Sequence, residues 1–331
     1  MRNLKTIVLI LSSIVVLSSF NKDKRITIFM VGDSTMANKD ISGGKVERGW
    51  GMMLGNYFTE DIVVDNHAKN GRSSKSFIDE GLWDNVLSRI TPGDYVFIQF
   101  GHNDEKEAPA RHTVPGSTFD ANLRRYVIET REKGGIPVLF NAVARRKFYR
   151  EGDDSVDDEL LRDTKYADEK INSDTLIDTH GAYLLSPRNV AKELDVPFVD
   201  ANRVTRELEQ SMGPIESRRL HMWFRPGEEP SVPEGRQDNT HYNIYGANLV
   251  ASLLVDEIAR EVPALKRYVR HYGSSVASDG KGMYFTPQDA VDNARCHEKT
   301  TILINNGVWK KPAIPKCKKI KFVMRRGAHW E

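Results

Sequence analysis

Short apolar runs rich in β-branched residues punctuate this chain, and between them apolar positions recur at helical spacing. The runs are Ile26-Thr27-Ile28-Phe29-Met30-Val31, Ile62-Val63-Val64, Tyr95-Val96-Phe97-Ile98-Gln99-Phe100, Ile136-Pro137-Val138-Leu139-Phe140 and Val196-Pro197-Phe198-Val199-Asp200. Continuous runs of this length fit strands covered on both faces. Between them, Phe119 to Lys133 sets Leu123, Tyr126, Val127 and Thr130 on one helical face and stops at Gly134-Gly135. Residues 190–194 and 204–212 are shorter helical candidates, and Ile244 to Ile258 aligns Ile244, Ala247, Ala251, Leu254 and Ile258. This alternation predicts an α/β fold with a parallel sheet and helices on both sides.

Polar blocks interrupt the pattern. Gly32-Asp33-Ser34-Thr35, Asn70-Gly71-Arg72-Ser73 and Gly101-His102-Asn103-Asp104 each fall just beyond one of the first three strands. In open α/β sheets, sites form outside the carboxyl ends of the strands, so these blocks share a rim. A fourth block, Asp238-Asn239-Thr240-His241, is expected in a loop before the last helix, from which its side chains can return to that rim.

Together the blocks hold the parts of an ester hydrolase. A serine hydroxyl is a weak nucleophile until a base takes its proton, and His241 is the candidate base for Ser34. Asp238, three residues before it, can fix the imidazole tautomer and stabilise the imidazolium. The oxyanion needs preorganised donors, for which the backbone N–H groups of Ser34 and Gly71 and the amide of Asn103 are candidates. Taken singly, each block also reads as a turn or a helix cap. Their joint occurrence at strand ends favours the catalytic reading. Arg72 and Lys75 are candidate contacts to an anionic substrate, or ordinary surface charges. Trp50 is a candidate sugar platform or a core residue.

The flanking residues narrow the class. Arg48-Gly49-Trp50-Gly51, Asn66-His67-Ala68, Gly93-Asp94-Tyr95, Gln99-Phe100-Gly101-His102-Asn103-Asp104, Val143-Ala144-Arg145-Arg146 and Asp238-Asn239-Thr240-His241-Tyr242-Asn243 resemble the SGNH (GDSL-type) hydrolases, specifically the rhamnogalacturonan acetylesterases. The resemblance spans about residues 25 to 265. It implies a three-layer α/β/α, flavodoxin-like fold and deacetylation of pectic rhamnogalacturonan without a cofactor. By matching position it implies Ser34, Asp238 and His241 as the triad and Gly71 and Asn103 as oxyanion donors. Asn141-Ala142 departs from the Thr-Pro expected there, and Arg150 to Asp178 is unusually charged. Xylan or lipid esterase activity on the same fold is the alternative, as is a non-catalytic pectin-binding module.

Charge and composition bound the rest. Net charge is only +2, which argues against nucleic acid as the main partner. Scattered histidines and the absence of CxxC and HExxH argue against a metal site. Arg2 and Lys5 followed by the apolar run Thr6 to Phe20 predict a signal peptide over residues 1–20 and export to the periplasm or outside the cell. An uncleaved anchor is the alternative. The mature form is expected to be monomeric and free of membrane, with a hydrolase domain over 21–265 and a linker over 266–278.

Residues 266–331 carry 14 Lys and Arg against 5 Asp and Glu. Within residues 279–331, Asp279-Gly280-Lys281-Gly282, Thr286-Pro287-Gln288-Asp289-Ala290-Val291, Thr301-Ile302-Leu303-Ile304-Asn305-Asn306-Gly307-Val308-Trp309 and Ile314-Pro315-Lys316-Cys317-Lys318-Lys319 resemble the opening of pectin methylesterases, which are parallel β-helices. The resemblance implies a truncated, inactive fragment; the alternative is a basic surface tail that docks on the first domain or on anionic pectin. Isolated solenoid rungs need neighbours to bury their faces. Cys296 and Cys317 are open to a disulfide or to two free thiols.

Overall fold

The computed structural model describes residues 25–150 and 169–331. The expected signal peptide and most of the charged stretch from Arg150 to Asp178 lie outside the described residues. The first elements are β1 (Ile26–Gly32), β2 (Glu47–Arg48), α1 (Trp50–Leu54), β3 (Ile62–Asn66), α2 (Ser74–Asp79) and α3 (Leu82–Leu87). They are followed by β4 (Tyr95–Gln99), α4 (Thr118–Glu132), β5 (Ile136–Phe140), α5 (Leu185–Leu194), β6 (Phe198–Val199) and α6 (Ala201–Glu216). Next come β7 (His221–Phe224), β8 (Arg236–Asn243) and α7 (Ile244–Glu261).

The main sheet is parallel, in the order β3-β1-β4-β5-β6. Strand order reverses between β1 and β4, which makes the crevice between their carboxyl ends the topological switch point of a flavodoxin-like sheet. The continuous apolar runs follow from its two covered faces. In β1, Ile28 and Met30 pack with Trp50, Met53, Val250, Ala251 and Leu254. The alternate residues Phe29 and Val31 pack with Phe77, Trp83, Phe119, Leu123 and Tyr126 on the other side. Burying a side chain of this size contributes about 1.5–3 kcal/mol, so a one-residue register slip would be heavily disfavoured. The result is the three-layer α/β/α arrangement.

A second sheet was not expected. β8 pairs antiparallel with β2 and β7. The fourth polar block, expected in a loop, therefore lies within a strand. The ladder is not regular there. His221 pairs with Tyr242 and Trp223 with Gln237, so a two-residue step on β7 faces a five-residue step on β8. The surplus residues are the block itself, pushed out as a bulge. Such bulges re-aim side chains next to active sites. Asp238 stabilises this one locally, its Oδ1 accepting the N–H of Thr240 (3.0 Å) and of His241 (2.9 Å). These bonds offer the backbone an alternative to ladder pairing.

The C-terminal part forms β9 (Ser274–Val276), α8 (Pro287–Asn293), β10 (Lys299–Ile304), β11 (Gly307–Trp309), β12 (Lys319–Met324) and β13 (Ala328–Trp330). Its ladders are parallel, with β9 and β12 flanking β10 and β11 against β13. Val276, Ile302, Ile304 and Trp309 form its small core. The region expected as a linker differs from expectation: Val269 bridges to Phe58, and β9 belongs to the C-terminal sheet. The C-terminal part is tied to the hydrolase domain by hydrogen bonds. Arg48 Nε donates to the Gly280 carbonyl (2.9 Å), and Arg325 Nη2 donates to the carbonyls of Gly55 (2.7 Å) and Phe58 (2.8 Å). Cys296 and Cys317 form a disulfide.

Candidate active site

The register of the main sheet sets the site. Gly32 at the end of β1 pairs with Gln99 at the end of β4, so Ser34 and the Gly101–Asp104 block emerge side by side. The chain beyond β3 keeps following β1, with His67 N–H on Met30 O (2.9 Å) and Lys69 N–H on Gly32 O (3.0 Å). This brings Asn70-Gly71 to the same rim.

The serine turn is tightly held. Thr35 donates both its N–H (2.9 Å) and its hydroxyl (2.7 Å) to Asp33 Oδ1. Gln99 donates to Thr35 Oγ1 (2.8 Å) and accepts from Trp50 Nε1 (2.7 Å). Trp50 is wholly buried, so it is a core residue and not a sugar platform. Its backbone N–H bonds Thr35 O (2.9 Å), and a Cβ at Gly49 would sit 2.3 Å from Ala37 O. The Arg48-Gly49-Trp50-Gly51 motif thus exists to let α1 approach the serine turn. Beneath this turn, burial holds the His102 imidazole down to about 4, so it is neutral near pH 7.

His241 reaches this turn from the bulge. Its Nε2 lies 2.8 Å from Ser34 Oγ, and its Nδ1 lies 2.9 Å from Asp238 Oδ2. Asp238 is fully buried, and its Oδ2 also accepts from Arg236 Nη2. Two arginines clamp the bulge from the loop after β5. Arg145 Nε donates to Thr240 Oγ1 (3.0 Å), and Arg146 Nη1 donates to Asn239 Oδ1 (2.7 Å).

The oxyanion candidates converge on the same crevice. Among the described residues, the backbone N–H groups of Ser34 and Gly71 donate to no protein acceptor. Gly71 has φ +74°, and a Cβ there would meet nothing within 4 Å. The left-handed backbone there favours glycine. Asn103 Nδ2 donates one proton to Arg72 O (3.2 Å), which leaves its second for an oxyanion. Arg111 Nη1 donates to Asn103 Oδ1 (3.3 Å) and so orients the amide. Asp104 ties the block to α2, accepting from Ser74 Oγ (2.5 Å) and Thr113 Oγ1 (2.9 Å). Burial nevertheless pushes its carboxyl up to about 7.

The two candidate substrate contacts are already engaged. Arg72 pairs with Glu80 (2.8 Å) and Lys75 with Asp79 (3.0 Å), both on partly exposed surface. Sequence reasoning missed Arg111, Arg236, Glu47 and Lys39.

A serine, an imidazole and a buried carboxylate in hydrogen-bonded series, beside converging N–H donors at a sheet switch point, define an α/β ester hydrolase. A family model described as the GDSL-like Lipase/Acylhydrolase family matches residues 30–249, and the chain belongs to this family. It is 39% identical over 235 residues to "Rhamnogalacturonan acetylesterase RhgT" of Bacillus subtilis (strain 168), a match covering 71% of this chain and 90% of that protein. It is 32% identical over 237 residues to "Probable rhamnogalacturonan acetylesterase YesY" of the same organism, covering 70% and 91%. A crystal structure of the protein YxiM of Bacillus subtilis superimposes with a TM-score of 0.55 at 25% identity. That match covers 73% of this chain and 58% of the YxiM chain, so this chain spans little more than half of it.

Proposed function

We propose that this protein is an exported esterase that removes acetyl groups from pectic rhamnogalacturonan. Ser34 Oγ attacks the acetyl carbonyl while His241 Nε2 takes its proton. Asp238 holds the other ring nitrogen and stabilises the imidazolium. The oxyanion is bound by the N–H groups of Ser34 and Gly71 and by Asn103 Nδ2. The His241 imidazolium then gives that proton to the sugar oxygen as its bond to the acetyl carbon breaks, releasing the sugar hydroxyl. A water molecule, deprotonated by the same imidazole, attacks the acetyl-serine and releases acetate.

The observation that carries this reading is the unbroken series from Ser34 Oγ through His241 to Asp238, at 2.8 and 2.9 Å. The 39% identity to RhgT supports the substrate class. Export rests on the sequence of residues 1–20 alone.

Acetate release from acetylated rhamnogalacturonan, acetylated xylan and long-chain esters, measured with the native chain and Ser34→Ala, tests the proposal. The native chain should prefer the first substrate, and the variant should lose at least about 10³-fold in kcat. Equal rates on xylan would overturn the substrate assignment, and an active variant would overturn the nucleophile.

A further inference from the structure

Behind the triad runs a chain of alternating charges that no step of the reaction above uses. Asp238 Oδ2 accepts from Arg236 Nη2, and Arg236 Nη1 donates to Glu47 Oε2 (2.8 Å). Glu47 Oε1 pairs with Lys39 Nζ (2.8 Å), and Lys39 Nζ donates to Asn70 Oδ1 (2.7 Å). Asn70 immediately precedes Gly71. The ends of the chain are therefore the triad acid and the oxyanion turn.

The ion pairs are largely buried, whereas the hydrogen bond from Lys39 to Asn70 is exposed. The side chains of Lys39, Glu47 and Arg236 are 4%, 19% and 15% exposed. Exposed ion pairs contribute little, but screened and buried ones respond strongly to loss of a partner. Their backbones come from different elements: the loop after β1, strand β2, and strand β8. β2 is only two residues long, and its pairing with β8 sets Glu47 opposite Asn243. Nothing in that short ladder requires a carboxylate.

We infer that Lys39, Glu47 and Arg236 form an ionic strap of positioning residues, which holds the Asp238–His241 pair and the Asn70-Gly71 oxyanion turn as one unit and couples electrostatically to His241. The inference rests on the serine mechanism proposed above. Glu47 is its pivot. Burial raises the Glu47 carboxyl, but Lys39, His241 and Arg236 outweigh burial and hold it at about 2. Linkage is reciprocal, so a carboxylate stabilised by the His241 imidazolium stabilises that imidazolium equally. Arg236 acts in the opposite sense, by withdrawing negative charge from Asp238.

Arg48 lies beside Glu47 on β2 and is coupled to it, and the buried His221–Glu209 pair (3.0 Å) packs against Tyr242 of β8. Arg145 reaches Thr240 and is paired with Glu105, and Arg146 reaches Asn239 and is paired with Glu169. His102 lies 3.3 Å from Asp33 beneath the serine turn.

The test is the pH dependence of kcat/KM for an aryl acetate, measured on the full chain. Neutral His241 is the active base, so the acidic limb of the profile reports its protonation. Glu47→Gln should move that limb down by roughly half a unit to one unit, and Arg236→Gln should move it up by a similar amount. Both variants should lower kcat about tenfold or more, because the oxyanion turn is released. The limb position does not depend on how much enzyme folds, so partial loss of stability does not obscure it. Should Glu47→Gln yield no folded protein, Lys39→Met carries the same test, with the limb moving up. Unmoved limbs, or limbs moving the same way in Glu47→Gln and Arg236→Gln, would overturn the strap while an inert Ser34→Ala variant left the serine mechanism standing. An active Ser34→Ala variant would remove the mechanism beneath it.

Discussion

Replacing Asp238 with Asn removes one charge and exchanges one acceptor for two donors. In the native site the Asp238 oxygens accept from Thr240 N, His241 N, His241 Nδ1 and Arg236 Nη2. The pair is fully buried, so water cannot repair a mismatch. If the Asn amide oxygen faces the two backbone N–H groups, its NH₂ opposes Arg236 and the protonated Nδ1 of His241. If it flips, the NH₂ opposes the backbone. Either way donors face donors, and the easiest relief is for His241 to move its proton to Nε2. That tautomer presents a donor to Ser34 Oγ, 2.8 Å away, and cannot act as base. The expected loss is about 10⁴-fold in kcat, which corresponds to about 5.5 kcal/mol of transition-state stabilisation. Steady-state hydrolysis of an aryl acetate, with thermal unfolding measured in parallel, is the assay. A variant within tenfold of native kcat, at an unchanged unfolding temperature, would refute the role assigned to Asp238.

Asn103→Ala should lower kcat by about 10²–10³-fold with KM little changed, because its free amide proton engages only developing negative charge; initial-rate kinetics read this directly. Asp104 predicts a pH effect on stability. Its carboxyl is raised from 3.8 to about 7 by burial, so the stability it contributes is full below about 3.8 and is lost as pH rises through about 7. The melting temperature of the native chain should therefore fall further between about pH 4 and 7 than that of Asp104→Asn. Parallel melting profiles would show that burial does not control this group.

The parts of the molecule legible in the sequence are those where one physical demand dominates a stretch of chain. β1, β4 and β5 read clearly because both faces are covered, which forces uninterrupted apolar runs. The serine and asparagine blocks fall on the rim because each follows such a strand, and the glycine block follows the half-buried edge strand β3. The second sheet was illegible for the converse reason. Between Arg236 and Asn243 only Tyr242 is apolar, and the bulge breaks the alternation that would mark a strand. β2 is too short to show any period. The strap was invisible because Lys39, Glu47 and Arg236 are ordinary charged residues whose partners are fixed only by the fold, the last of them 189 positions beyond Glu47. The supposed linker failed differently: Ser274-Ser275-Val276 carries a strand whose pairing partner, β10, lies two dozen residues downstream.

This division of legibility follows the way the site is built. A parallel sheet offers its rim only through the loops that leave its strands, and those loops hold the candidate nucleophile and the candidate oxyanion donors in fixed register. A general base must instead approach the serine from outside the sheet and present one ring nitrogen at hydrogen-bonding distance. A free loop could reach that far but would hold the imidazole poorly, and catalysis suffers steeply from small errors of placement. The bulge in β8 answers both requirements. Its flanking residues are locked in antiparallel ladders with β2 and β7, and its displaced residues are pinned by Asp238 from within and by Arg145 and Arg146 from the loop after β5. Lys39, Glu47 and Arg236 then connect this outer device to the inner rim at Asn70. A change at any of the three should therefore affect proton transfer and oxyanion binding together, whereas a change confined to Asn103 should leave the pH profile where it is.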